Sequence, residues 1–376
     1  MNIMSSLQCP LCKCKLVNEK KKLYCTHCST KFNIEKGIVN LLIPDNSIKQ
    51  EIEENQKVAE KRKTKTDAWL LSLPCADNFG NEKYPIINQG YKANVLQAIQ
   101  SINIKGKTVL EIGSGTCWTT TLLAEAGADV VATDISAEKY VGLESAEVFF
   151  KHKHIFFERV LCTMNVLPFQ DKSFDVVFVN AAIHHAPNLS VVFKEINRVL
   201  NNGGIYVQTN EPCCSIVSKS NKINIKKAKA TGMDVADNWN ENSYSLRKYA
   251  LCLKRAGFDL IDTFFPQSFA LLLNNPQVKG ISGYKGILRK IVAQIWKIKL
   301  MQKILSSKSV FTLSLYLFGG NCIFIAKKNY FFNSRISFST IISISCLNPT
   351  LGFHPRTVCA FVALPQSIST SAGRKN

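Results

Sequence analysis

Short apolar runs of strand length alternate with stretches of helical period through the middle of this chain. Residues 108–112 form one such run, closed by glycines, and a helix is predicted to open near Trp118. A second run covers 129–132, and strand and helix patterns continue to alternate to about residue 212. That alternation predicts an α/β sheet, mostly parallel, with helices on both faces. Ahead of it lie a cysteine-bearing segment (1–43) and a linker (44–89). The linker holds Glu51, Glu53 and Glu54 at helical offsets from Lys57 and Lys61, and a helix at 90–101 follows it. Residues 213–243 and 266–308 interrupt the pattern as insertions. Residues 329–376 carry no acid and no clear period, and are expected to be disordered.

The first strand carries the chemistry. It runs through Val109-Leu-Glu-Ile into Gly113-Ser-Gly115, and Asp134 follows nineteen residues after Gly115. Two glycines after a strand let a ligand approach the backbone. An acid at the end of the next strand can bind both hydroxyls of a ribose. A dinucleotide site wants a third glycine, but Thr116, Cys117 and Trp118 stand there. Glu111 is also awkward beside a phosphate, whereas it suits a ligand with an ammonium and a sulfonium.

Residues 109–116 thus resemble the first motif of class I S-adenosylmethionine-dependent methyltransferases. Further segments resemble that family in its own order: Leu167-Pro-Phe169, then 173–180, the helix 193–200, Gly203-Gly204 with the strand 205–209, the helix and turn 249–258, and a closing strand 319–326. The resemblance covers about 90–328 and implies a Rossmann-like seven-stranded α/β sheet preceded by a small zinc ribbon. It assigns the amino-acid end of the cofactor to Glu111, Gly113, Ser114 and Gly115, and its ribose to Asp134. Ile135 and Met164 fall in the adenine region, and Asn180 at the strand end facing the methyl group. Thr163 stands where many members carry an aspartate that reads the adenine amino group. Its hydroxyl is a weaker acceptor.

Cys9-x2-Cys12 and Cys25-x2-Cys28 have the spacing of two knuckles sharing one tetrahedral zinc. Four thiolates would fill the shell, so the expected zinc is structural, stapling a segment too short to build its own core. Cys14 and His27 lie near enough to substitute. The segment resembles the N-terminal ribbon of a bacterial rRNA guanine methyltransferase, and similar leaders precede enzymes acting on small molecules and glycans. Read as a separate module, the ribbon is expected to unfold on chelation while cofactor affinity stays nearly intact.

Net charge is +20, distributed unevenly: 67–212 carries −4, while 213–328 carries +14. That excess favours an acidic partner, which leaves RNA, a peripheral membrane contact or a phosphorylated substrate open. The stretch 287–305 places Ile287, Ile291, Ile295, Ile298 and Leu305 at helical spacing among lysines. Its bland reading is a helix packed on the core. No uninterrupted apolar run of about 20 residues and no basic leader is apparent, so a cytoplasmic location is expected.

His184 and His185 fall just past the fourth strand, at the sheet edge where ligands bind, and are the candidate general bases. Glu211, ending the fifth strand, is expected to face the pocket mouth. The leading expectation is methyl transfer to an O, N or C atom of a small-molecule, glycan or lipid-linked substrate. Methylation of rRNA is the alternative, and a non-catalytic cofactor-binding module is a third. The sequence does not give the oligomeric state.

Overall fold

A computed structural model describes residues 3–19, 21–44, 46, 48–74, 85–215, 218, 241–274, 291–318 and 320–329. Most of the first insertion (216–217 and 219–240) and part of the second (275–290), together with the tail from 330, lie outside them. Residues Met1–Tyr330 belong to one compact unit.

The central strands are β5 (Thr108–Ile112), β6 (Asp129–Asp134), β7 (Glu158–Leu161), β8 (Phe174–Asn180), β9 (Leu200–Cys214), β11 (Phe258–Thr263) and β12 (Gly320–Lys328). Their order across the sheet is β7-β6-β5-β8-β9-β12-β11. β5 to β9 run parallel and β12 is antiparallel to both neighbours. The short β10 (Tyr244–Ser245) pairs with β9. This is the expected Rossmann-like sheet. β9 is longer than its apolar run 205–209, because it continues beside β12 as far as Cys213.

Alternation along the strands sorts the core into two layers. Leu110, Ile112, Val177 and Val179 face one cluster, while Val109, Val176 and Phe178 face the other. The helices α3 (Pro85–Ser101), α4 (Trp118–Glu125) and α5 (Ala146–Lys153) supply the second layer. α6 (Leu189–Val199) supplies the first. It is capped by the Asn188 side chain, which accepts from the Ser190 N–H, and it buries Leu189, Val192, Phe193, Ile196 and Val199 at helical spacing. α7 (Leu246–Arg255) packs beside it.

The N-terminal segment is not a separate module. β1 (Leu16–Glu19), β2 (Lys22–Cys25), β3 (Lys31–Glu35) and β4 (Ile38–Asn40) form a meander whose last strand lies parallel to β7 and continues the sheet. The Gln8 N–H donates to the Pro168 carbonyl at 3.0 Å, and the Gln170 N–H to that of Ser6 at 2.8 Å. Leu7, Cys9, Leu23, Phe32 and Val39 share one apolar cluster with α6. Arg159 on β7 fixes the seam: its guanidinium donates to the Lys36 carbonyl at 2.7 Å and meets Glu147 at 2.6 Å. The linker then forms α1 (Lys49–Lys61) and α2 (Asp67–Ser72). Val58 and Ala59 of α1 pack on Val141, beyond β6. Among the described residues, no helix is long and apolar enough to cross a membrane.

Candidate active site

The turn after β5 is built for close approach. The N–H groups of Gly113 and Ser114 both donate to the Thr133 carbonyl at 2.9 Å, tying the turn to β6. Gly113 has φ +71°, and a Cβ there would lie 2.4 Å from the Ala182 methyl. Cys117, which opens α4, is left-handed with φ 62°. So are Ala181, just past β8, and Asn210, within β9. Cys117, Ala181 and Asn210 thus bring three left-handed non-glycine residues to this part of the sheet.

Two carboxyl groups line the turn. Glu111 is buried and accepts a hydrogen bond from the Thr120 hydroxyl; burial pushes its carboxyl up to about 7. Asp134 accepts from the Gly115 N–H at 2.8 Å and the Ser136 N–H at 2.9 Å, and burial lifts it to about 6 despite those bonds. No ion pair to either acid is found among the described residues. A pair of desolvated acids at an open glycine turn fits a cationic ligand better than a phosphate. Ile135 follows Asp134, half-buried. Thr163 is buried beyond β7, and its Oγ1 accepts from the Val166 N–H at 3.2 Å. The hydroxyl retains its proton and one lone pair for a ligand. Met164 beside it is half-buried against the core.

Asn180 closes this edge within a network of amides. Its Nδ2 donates to the Thr119 hydroxyl at 3.0 Å, while its Oδ1 accepts from Thr209 at 2.9 Å and from Asn210 at 2.8 Å. Asn210 accepts in turn from Asn94 of α3 at 2.6 Å, and Asn94 also bonds Ser268. Asn94, Asn210 and Ser268 are all buried. The sequence reading missed Asn94 and Ser268, because nothing local marks an asparagine whose partners lie 116 and 174 residues away.

The histidines separate in role. His184 is buried between two carboxylates: Nδ1 lies 2.8 Å from Glu211 Oε2, and Nε2 3.3 Å from Glu241 Oε2. Burial opposes its charge, but the Glu211 carboxylate and the bonds to both acids prevail and hold it up to about 10. Both nitrogens are engaged and the ring is cationic, so His184 has no lone pair with which to accept a proton. Glu211 likewise departs from its expected place at the pocket mouth. It is fully buried, accepting from the N–H groups of Ala182 at 2.6 Å, Ile183 at 2.9 Å and His184 at 3.2 Å. It therefore shapes the loop after β8 rather than touching a substrate. The His185 ring lies tilted against that of His184, with centroids 4.2 Å apart and planes at 36°, and its Nδ1 lies 2.9 Å from Glu51 of α1. α1 thereby reaches the cofactor edge, a reach its charge pattern did not reveal.

The four expected cysteines converge. Cys9, Cys12, Cys25 and Cys28 place their sulfurs within 4.8 Å of one another, with Cys9–Cys28 at 3.6 Å and Cys12–Cys25 at 3.3 Å. Left-handed Lys13 and Ser29 turn the two knuckles. Sulfurs on a tetrahedron with metal–sulfur distances of about 2.3 Å would sit somewhat under 4 Å apart, so the donors and spacing fit zinc. Cys12, Cys14 and His27 also cluster nearby.

Residues 110–208 match the family model for a methyltransferase domain. The chain is 30% identical over 144 residues to the fatty-acid O-methyltransferase of Mycolicibacterium smegmatis, covering 37% of this chain and 47% of the relative. It is 32% identical over 124 residues to the demethylmenaquinone methyltransferase of Staphylococcus haemolyticus, covering 32% and 51%. The chain spans about half the length of the curated relatives it matches. Geranyl diphosphate C-methyltransferase from Streptomyces coelicolor A3(2) aligns in structure with a TM-score of 0.44 at 14% identity, over 69% of this chain and 84% of that one.

Proposed function

We propose that this protein is an S-adenosylmethionine-dependent methyltransferase acting, in the cytoplasm, on an O, N or C atom of a small apolar or lipid-linked acceptor. The observation that carries the reading is the pair of desolvated acids, Glu111 and Asp134, flanking the glycine turn at the carboxyl edge of the sheet. Glu111 and the turn would hold the cationic amino-acid end of the cofactor, and Asp134 the ribose hydroxyls. The edge from Asn180 to His185 would face the methyl group. When bound, the cofactor supplies an activated methyl on sulfur; the residues hold the acceptor in line and exclude water. The acceptor class is supported by relatives whose names specify a fatty acid and demethylmenaquinone.

We read the four cysteines as ligands of a structural zinc with no open coordination position. RNA methylation remains the alternative that the ribbon and basic charge would favour. Its signature is binding that falls steeply with salt through counterion release, and a flat response removes it.

The test is calorimetric titration of S-adenosylhomocysteine into the full chain and into Asp134→Ala. Loss of two charge-assisted ribose bonds is expected to weaken binding about a hundredfold or more. Unchanged affinity would overturn the site assignment.

A further inference from the structure

The basic stretch of the second insertion leaves Ile291, Ile295 and Ile298 of its apolar stripe unburied, while Leu305 packs inward and Ile287 lies outside the described residues. Residues 291–296 are helical, the chain breaks at 297–298, and a second short helix covers Lys299–Leu305. The side turned inward is made by Ala293 and Trp296. They pack with Leu273, and the Trp296 ring stacks on Phe265 at 5.2 Å and 13°. The isoleucines that gave the stretch its helical period point outward: Ile291 is 51% exposed, Ile295 38% and Ile298 56%. The next helix continues the patch with Leu300 at 62% and Ile304 at 43%. An expectation of core packing fails here because the aromatic side, not the isoleucine stripe, is the one that is buried.

Exposed lysines flank this apolar patch. Lys297, Lys299 and Lys303 are exposed within it, and the sequence holds no aspartate or glutamate from 263 to 318. Five large apolar side chains exposed within fourteen residues are the kind of surface that marks an interaction site. Apolar residues interleaved with uncompensated lysines fit a surface that is itself apolar beneath an anionic layer. A nucleic acid would use the lysines but leave the isoleucines in water, and Trp296, the one aromatic residue among 291–305, is buried.

We propose that residues 291–305 form a docking face for an anionic lipid bilayer. The apolar side chains would enter the acyl boundary while the lysines meet the headgroups. The face is joined to the catalytic edge through the protein. Its buried side packs on the helix Gln267–Asn274, whose Ser268 bonds Asn94, and Asn94 bonds Asn210 beside Asn180. A docked insertion therefore places the acceptor side of the sheet next to the bilayer, where an apolar acceptor resides. That last step rests on the methyltransferase reading; the docking itself does not.

The test is co-sedimentation of the full chain with vesicles of phosphatidylcholine alone and of phosphatidylcholine with about 30% phosphatidylglycerol. Binding is expected only to the anionic vesicles. A Lys297→Gln/Lys299→Gln/Lys303→Gln variant is expected to bind roughly a hundredfold more weakly, at about fivefold per lysine. Ile295→Ser/Ile298→Ser/Leu300→Ser, at exposed positions, should also lose binding while retaining the affinity for S-adenosylhomocysteine. Vesicle binding without any cofactor affinity would leave docking standing and sink the methyltransferase reading. Absence of vesicle binding, or binding that both variants retain, would overturn the proposal. So would a sedimentation-velocity dimer that the serine variant dissolves without vesicle binding, since a second copy would then be the occupant. Binding to a homopolymeric RNA in place of vesicles would overturn it equally.

Discussion

Replacing Glu211 by glutamine should convert a pH-dependent stabiliser of the catalytic edge into a nearly pH-independent defect. In the native protein this carboxylate accepts three backbone N–H groups and pairs with His184, holding that imidazole protonated up to about 10. The ordinary histidine value is about 6.5, so the folded state binds the proton more tightly than the unfolded chain. A raised histidine pKa stabilises the fold fully below about pH 6.5, and the benefit is lost as pH rises through the folded value near 10. At about 1.4 kcal/mol per unit, the whole span is worth on the order of 5 kcal/mol, and roughly 4 of it remains at pH 7. Glu211→Gln removes most of that contribution and adds about 1–3 kcal/mol, independent of pH, because an amide cannot accept from every N–H it faces. The assay is urea unfolding of both proteins followed by far-ultraviolet circular dichroism between about pH 6.5 and 9.5, read as the difference between them. Taking the difference cancels the buried thiols, which affect both proteins alike above about pH 8. The gap should be widest at the acid end and narrow by about 1 kcal/mol per pH unit. A gap constant across that window would refute the assignment of a charged His184 clamped by Glu211. His184→Gln provides the check, since Glu211→Gln made in that background should show no residual slope.

Three other outcomes follow from the same geometry. Because Asp134 accepts most strongly from ligand hydroxyls, and Glu111 pairs with a cationic ligand, when ionised, and burial holds them up to about 6 and about 7, S-adenosylhomocysteine affinity should fall as pH drops through 7 and on below 6; titration across pH 5–8 checks it. Gly113→Ala forces a side chain into φ +71° and against the Ala182 methyl, which should cost a few kcal/mol in chemical unfolding and abolish cofactor binding. Chelation of the cysteine cluster should lower the melting temperature of the whole compact unit and weaken cofactor binding, because β4 supports β7 and Ser6 and Gln8 hold the loop that follows Thr163. A ribbon that melts alone, leaving affinity intact, would show that this shared edge carries little energy.

What the sequence determined by itself was local and covalent. Glycines 113 and 115 at a strand end, an acid at the end of the next strand and two C-x2-C pairs are patterns in which each residue constrains its near neighbours, so spacing alone exposes them. The fold class followed too, since alternating strand and helix periods leave few ways to build a compact domain other than a mostly parallel sheet. Long-range pairing decided the rest. Nothing in residues 38–40 announces that they extend the sheet beside β7, because the strand they pair with lies far along the chain, at 159–161. Glu211 reads as a loop acid until the fold wraps the backbone of 182–184 around it, and His184 reads as a base until Glu241 arrives at its second nitrogen. The isoleucines of 291–298 carry a helical period that predicts burial. Periodicity fixes which residues share a face, and only packing against Phe265 and Leu273 chose which face would be left in water.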